Sequence, residues 1–327
     1  MKKKASFFVE SYYKNNIVFN DKLNVSKFEG RTYKHIKLKE SFERFGIDLS
    51  TQDINSVNDS DIVIYNDMPD KFPSDHNKNK SYLIIYEPPS VLTRNFNLDL
   101  YENFIKIFTW DDSLVNNKNI FKFNFSFDLK SNYKKNLDFL SRKFVCMIAA
   151  NKFSFHEKEA YTSRLKIINW YLQNEKEFHL YGFNWDKTLF KNYPFTYLNR
   201  FNLPFPNSFI KNLQLQKIYK GSINSKFDVL GDYKFCFCFE NIYDIEGYIT
   251  EKIFDCFFSL TVPIYLGANN IDFFIPKNTF IDFRDFNSIE ELHNYIYSMK
   301  KDKRYRQGIL KPNNNKKYIG KGDPVYR

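Results

Sequence analysis

The sequence predicts an α/β protein made of two Rossmann-like halves with a cleft between them. Three observations carry this. Short apolar runs alternate with polar stretches of helical spacing, the pattern of parallel strands joined by crossover helices. A polar, Lys/Asn-rich segment at 128–142 interrupts the alternation, which then restarts. The 327 residues suffice for two domains of about 150 residues, either of which can bury a full core.

The elements follow in chain order. Ser6–Glu10 reads as a strand. Tyr33–Phe45 has helical spacing and ends at Gly46, a suitable C-cap. Asp61–Tyr65 is a strand running into the polar loop Asn66-Asp67-Met68-Pro69. Tyr82–Tyr86 is a buried-type strand that stops at Glu87-Pro88-Pro89, and Ile105–Trp110 is another, followed by Asp111 and Asp112. Past the linker, Phe144–Ala150 is a strand, and Glu157–Leu172 a helix with Leu165, Ile168 and Leu172 on one face. Phe178–Tyr181, Tyr233–Phe239 and Val262–Leu266 are strands, and Ile289–Met299 is a terminal helix. The expected division is residues 1–140, residues 141–300 and a basic tail at 301–327. No repeat of solenoid period is present.

Composition excludes several classes. With 43% hydrophobic and 19% aromatic residues, neither disorder nor coiled coil is the main state. No run of about 18 apolar residues offers a spanning helix. Met1-Lys2-Lys3-Lys4 lacks the apolar stretch of a secretory signal. A net charge of +11 first suggests a nucleic-acid, membrane-surface or phosphate-handling protein. Yet residues 300–327 carry a net +8 and Lys2–Lys4 a further +3, so the body between is balanced. The charge belongs to the ends. A tail touching an anionic membrane and a tail simply solvated both fit it. No nucleic-acid partner is expected, because no stacking or zinc-knuckle pattern accompanies the basic residues.

Four cysteines occur. Cys146 lies in an apolar run, and Cys236 and Cys238 alternate with phenylalanines, so with Cys256 they read as buried structural thiols. A C-x-C pair can bind metal, but no His or second Cys pair stands at ligand spacing. The absence of a disulfide pattern indicates a reducing, cytoplasmic setting.

The chemistry concentrates in Phe239-Glu240-Asn241, Gly247-Tyr248-Ile249-Thr250-Glu251-Lys252-Ile253 and Val262-Pro263-Ile264-Tyr265-Leu266-Gly267. A strand ends at Glu240-Asn241, and a helix begins near Thr250, a good N-cap residue. Its expected buried side is Ile253, Phe254, Phe257, Phe258 and Leu260. Free N–H groups and the helix dipole make such a terminus an anion site. Lys252 in the first turn opposes the dipole unless a phosphate lies between; the plain alternative is a solvated lysine.

This segment resembles glycosyltransferase family 10, the α-1,3/4-fucosyltransferases. The resemblance rests on the three stretches above together with Phe274-Ile275-Pro276 and Asp285-Phe286, in order and at suitable spacing. It is clear over about 230–286 and weaker back to 144 and then 82. It implies a GT-B fold: two facing Rossmann-like domains, the donor on the C-terminal one. It implies GDP-fucose as donor, inversion at the anomeric carbon and an N-acetylglucosamine-containing glycan acceptor, free or lipid-linked. By the resemblance, Lys252 binds the pyrophosphate, Glu251 contacts the nucleotide sugar, and Tyr248 and Asn241 line the donor pocket. Arg164 takes the place of a phosphate-pairing arginine, with a solvated helix residue as its alternative. Lys226 is a further donor-site candidate.

Inverting transfer needs a base for the acceptor hydroxyl and cations for the departing diphosphate. Glu87 fits the base: it ends an apolar strand, where active sites of open α/β sheets lie, and Pro88 and Pro89 fix the turn after it. Family members place a glutamate followed by Ser-Pro there; this chain has Glu87-Pro88-Pro89-Ser90. Asp67, Asp111 and Asp112 are competing carboxylates, each read as a solvated loop residue or cap. Asp111-Asp112 invites a divalent metal. With Lys252 and Arg164 available, no essential metal or other cofactor is expected. The alternatives are the same mechanism with another nucleotide-activated deoxyhexose on GDP or dTDP and, more distantly, a basic nucleic-acid binder or an inactive scaffold.

Overall fold

The computed structural model describes residues 2–20, 32–127, 138–187 and 215–299. The basic tail 301–327 and most of the linker lie outside the described residues. Contacts divide the chain into two compact units: Met1–Ser131 with Ile245–Glu251, and Asn132–Asp244 with Lys252–Arg327.

The first unit holds a six-stranded sheet: β1 (Lys3–Phe8), β2 (Ile47–Thr51), β3 (Ile62–Asn66), β4 (Ser81–Ile85), β5 (Lys106–Thr109) and β6 (Ile120–Lys122). The spatial order is β2-β1-β3-β4-β5-β6, and every pairing is parallel. Both faces are covered, as a parallel sheet requires. One face buries Ala5, Phe7, Leu49, Ile64 and Ile84, and the other Val63, Tyr65, Leu83, Ile85 and Ile107. The helix Tyr33–Arg44 is bound to the first face by buried His35, whose Nε2 pairs with Asn66 Oδ1 at 3.0 Å. Burial holds that imidazole well below its usual pKa, so it is neutral. Gly46 (φ 72°) closes the helix by donating to Glu43 O at 2.9 Å, as the sequence predicts.

The second unit holds β7 (Lys143–Ile148), β8 (His179–Tyr181), β9 (Tyr233–Phe239), β10 (Val262–Leu266) and β11 (Ile281–Asp282), in the order β11-β10-β9-β7-β8, again all parallel. Its core joins Phe144, Val145 and Met147 of β7 to Phe235, Phe237 and Phe239 of β9. Ile167, Ile168 and Tyr171 cover it from the helix Tyr161–Gln173, and Leu292 and Ile296 from the helix Ile289–Met299.

Both sheets are doubly wound. The strand order reverses between β1 and β3 in the first and between β7 and β9 in the second. Ligands of such sheets bind outside the carboxyl ends of the strands at these points. Asn66 ends β3 and Asp67 follows it, and Glu240 and Asn241 follow β9.

Candidate active site

The end of β9 in the second unit is built around two charges. Glu240 is fully buried, its amide donating to Leu266 O at 2.8 Å. Its Oε2 meets Lys252 Nζ at 2.6 Å; the lysine side chain keeps 26% exposure while the glutamate has none. A buried carboxylate needs such a partner, because desolvation without one costs several kcal/mol. Gly267 makes room for it: a Cβ there would meet Glu240 Cγ and the Tyr265 hydroxyl. Lys252 lies in the first turn of the helix Glu251–Phe258. It is therefore a half-buried cation at a helix N-terminus beside a switch point, not a lysine on a solvated turn.

Arg164 is buried on the helix Tyr161–Gln173. Its Nη2 donates to Phe239 O at 2.8 Å, Glu240 O at 2.7 Å and Asn241 Oδ1 at 3.3 Å. The guanidinium thus fixes the backbone of Phe239-Glu240-Asn241 and orients the Asn241 amide. It is not a solvated helix residue. Lys226 Nζ pairs with Asp255 Oδ2 at 2.6 Å, one turn beyond Lys252 on the same helix. The buried side of that helix is Ile253, Asp255 and Cys256, with Phe254, Phe257 and Phe258 only partly buried. The expected all-apolar face is corrected here: Asp255 turns inward because Lys226 compensates it.

Tyr248 and Glu251 belong to the segment that clusters with the first unit. Tyr248 is buried, its ring 4.5 Å from Trp110 and 6.1 Å from Phe125. Gly247 (φ 85°) lies so close to the Trp110 carbonyl that a Cβ would strike it. Among the seven predicted residues, then, Arg164, Asn241 and Lys252 converge on the end of β9, Lys226 lies one turn away, and Tyr248, Glu251 and Glu87 belong with the first unit.

Glu87 is exposed at the carboxyl end of β4, with Pro88 and Pro89 buried behind it. The turn is closed by the Val91 and Leu92 amides, both donating to Pro88 O at 2.9 Å. Of the competitors, Asp111 is a cap: its Oδ1 accepts from the Ser113 amide at 2.9 Å. Asp112 pairs with Lys122 at 2.5 Å. Asp67 is not the solvated loop residue the sequence suggests. Its Oδ1 accepts from the amides of Tyr86 (2.7 Å) and Glu87 (2.9 Å) and from Asn95 Nδ2 (2.8 Å). Burial, with the nearby Glu87 charge second, pushes its carboxyl up to about 6.

All four cysteines are free and buried. Cys146 and Cys236 are direct cross-strand neighbours. Burial pushes the Cys146 and Cys238 thiols up, which keeps them protonated and inert. Among the described residues no group of three or more His, Cys, Asp or Glu is placed to hold a metal ion, and no helix is long and apolar enough to cross a membrane.

Residues 209–308 match the family model for glycosyltransferase family 10 (fucosyltransferase), C-terminal part. Over these residues the chain resembles a family 10 domain. The matched stretch contains Glu240, Asn241 and Lys252, which meet at the end of β9, and Glu251 of the segment that clusters with the first unit. It is 39% identical over 75 residues to an alpha-(1,3)-fucosyltransferase of Helicobacter pylori, covering 23% of this chain and 16% of that one. It is 42% identical over 67 residues to an alpha-(1,4)-fucosyltransferase of Arabidopsis thaliana, covering 20% and 16%. The matches thus span about a sixth of the length of these relatives. Solved structures extend the likeness to the whole fold. An alpha1,3-fucosyltransferase with GDP superposes with TM-score 0.57 at 18% identity, covering 95% of this chain and 82% of that one. An alpha-glucosyltransferase in complex with UDP and a 13-mer DNA gives 0.54 at 14% identity, covering 95% and 94%. The fold is GT-B.

Sequence reasoning quoted Glu240 as part of a motif but gave it no role. The available signal was a glutamate directly ending an apolar strand. Asp67 offered no comparable signal.

Proposed function

We propose that this protein is an inverting fucosyltransferase. It moves L-fucose from GDP-fucose to a hydroxyl of an N-acetylglucosamine-containing glycan, forming an α-1,3 linkage. The observation that carries the reading is Lys252: a half-buried cation at a helix N-terminus, tethered by a fully buried glutamate, inside the stretch that matches family 10. The alpha1,3-fucosyltransferase neighbours include one bound to GDP and one bound to GDP-fucose.

In this reading the acceptor oxygen attacks the anomeric carbon while Glu87 takes its proton. The bond to the β-phosphate oxygen breaks, and that oxygen leaves with the electron pair. Lys252 and Arg164 stabilise the charge growing on the diphosphate, a role for preorganised donors in a water-poor site. Asn241, Tyr248, Glu251 and Lys226 complete the donor site. These cations do the work a divalent metal does in other sugar transferases, so turnover is to persist in a chelator. The enzyme works in the cytoplasm, where the basic tail meets an anionic membrane carrying lipid-linked acceptors. Vesicle binding that is unchanged on deleting 301–327 contradicts that last point.

A panel of nucleotide sugars with several acceptor glycans, read by mass spectrometry, tests the donor. Fucose transfer from GDP-fucose is expected. Transfer from another donor only, such as a dTDP-deoxyhexose, overturns the fucose assignment.

A further inference from the structure

Asp67 follows β3 and reaches the end of the neighbouring β4. Its backbone is left-handed, φ 65°, a conformation open to Asp, Asn and Gly. Its own amide donates to Ile84 O at 2.8 Å. Its Oδ1 takes the amides of both Tyr86 and Glu87. Asn95, fully buried, closes the set. Its Nδ2 donates to Asp67 Oδ1 at 2.8 Å and to Glu87 O at 2.9 Å. Its Oδ1 accepts from the Met68 amide at 2.7 Å, and its carbonyl from the Tyr101 hydroxyl at 2.7 Å. Both backbone polar groups of Glu87 are therefore held in one network, while the Glu87 carboxylate alone is left exposed.

An ordinary loop needs none of this. Two carboxylates close together, one of them desolvated, cost stability. Backbone strain and desolvation gathered beside an exposed carboxylate at a strand end are the marks of a preorganised site.

We propose that Asp67, supported by Asn95, is a positioning residue for Glu87. Its Oδ1 clamps the Tyr86 and Glu87 amides and so fixes where the Glu87 carboxylate stands when it takes the acceptor proton. The inference rests on Glu87 as the base. Misplacing a reacting group by about 1 Å costs on the order of 100-fold in rate, so the clamp acts on kcat and not on donor affinity.

The test compares steady-state transfer and GDP binding in Asp67→Gly, Asp67→Asn and Glu87→Gln. Glycine accepts the left-handed backbone, so Asp67→Gly removes the clamp without straining the turn. It is expected to lower kcat by about 10- to 100-fold, with the donor KM and GDP affinity unchanged. Asp67→Asn keeps an Oδ1 acceptor at the same place and recovers most of that loss. Native kcat in Asp67→Gly overturns the proposal. So does an equal loss in both variants, because charge and not the clamp would then matter, and so does a loss confined to KM. Should Asp67→Gly fail to fold, as read by circular dichroism, Asp67→Asn decides: a kcat more than tenfold below native overturns the clamp. Glu87→Gln separates the underlying reading. Full transfer in that variant overturns Glu87 as base, whereas lost transfer there with native kcat in Asp67→Gly overturns the clamp alone.

Discussion

Replacing Asp67 with asparagine is expected to stabilise the protein in neutral solution and to do so less as the pH falls. Burial and the Glu87 charge push the Asp67 carboxyl from 3.8 to about 6. The folded chain therefore holds this proton more tightly than the unfolded chain. The stability this gives is full below pH 3.8 and is lost as pH rises through about 6. At about 1.4 kcal/mol per pH unit, the ionised carboxylate costs the native state at most about 3 kcal/mol in neutral solution. Asparagine has the same shape, keeps the acceptor for the Tyr86 and Glu87 amides, tolerates the left-handed backbone and carries no such cost. The assay is urea unfolding of both proteins, followed by circular dichroism, at pH 4.5 and pH 8. The advantage of Asp67→Asn is expected to grow by about 2 kcal/mol between the two. A difference that stays constant with pH refutes the reasoning, since it would mean that Asp67 titrates alike in the folded and unfolded chains.

Lys252→Ala leaves Glu240 buried without its cation and is expected to lower stability by about 3 kcal/mol as well as weaken GDP binding. The pair Lys252→Met with Glu240→Gln should recover the unfolding midpoint but not GDP affinity, as read by urea titration and calorimetry; recovery of neither would show that the two residues act separately. Gly247→Ala forces an L-residue to φ 85° against the Trp110 carbonyl. The backbone alone costs about 1–2 kcal/mol, so a midpoint within error of native contradicts the described geometry.

Much of the fold was legible because parallel strands buried on both faces read as continuous apolar runs. Tyr82–Tyr86 and Ile105–Trp110 fall within a residue or so of β4 and β5. β1 begins earlier than expected, at Lys3, because exposed lysines can start a strand when the ladder continues: Lys3 and Lys4 pair with Ile47 and Asp48. β2, β6 and β11 were not predicted; they are short or only partly apolar and lie toward or at the sheet edges. The helix predicted from Glu157 starts at Tyr161, and Glu159 serves its first turn by accepting the Thr162 amide at 2.9 Å.

The site was legible where the motif is local and obscure where it depends on pairing across the sheet. Lys252 stood out as a cation misplaced on dipole grounds, but its partner Glu240 lies 12 residues earlier on another element. Asp67 and Glu87 are 20 residues apart and meet only because β3 and β4 are neighbours. Nothing in the linear order shows that 245–251 leaves the second unit and clusters with the first.

The central claim is that this chain transfers fucose with inversion, using Glu87 as base. The most direct measurement is proton NMR of the anomeric signal of the product formed from GDP-β-L-fucose and an N-acetylglucosamine-containing acceptor, for the native chain and for Glu87→Gln. An α-fucoside from the native chain and none from Glu87→Gln is the predicted result. A β-fucoside, or an α-fucoside formed equally by both, contradicts it.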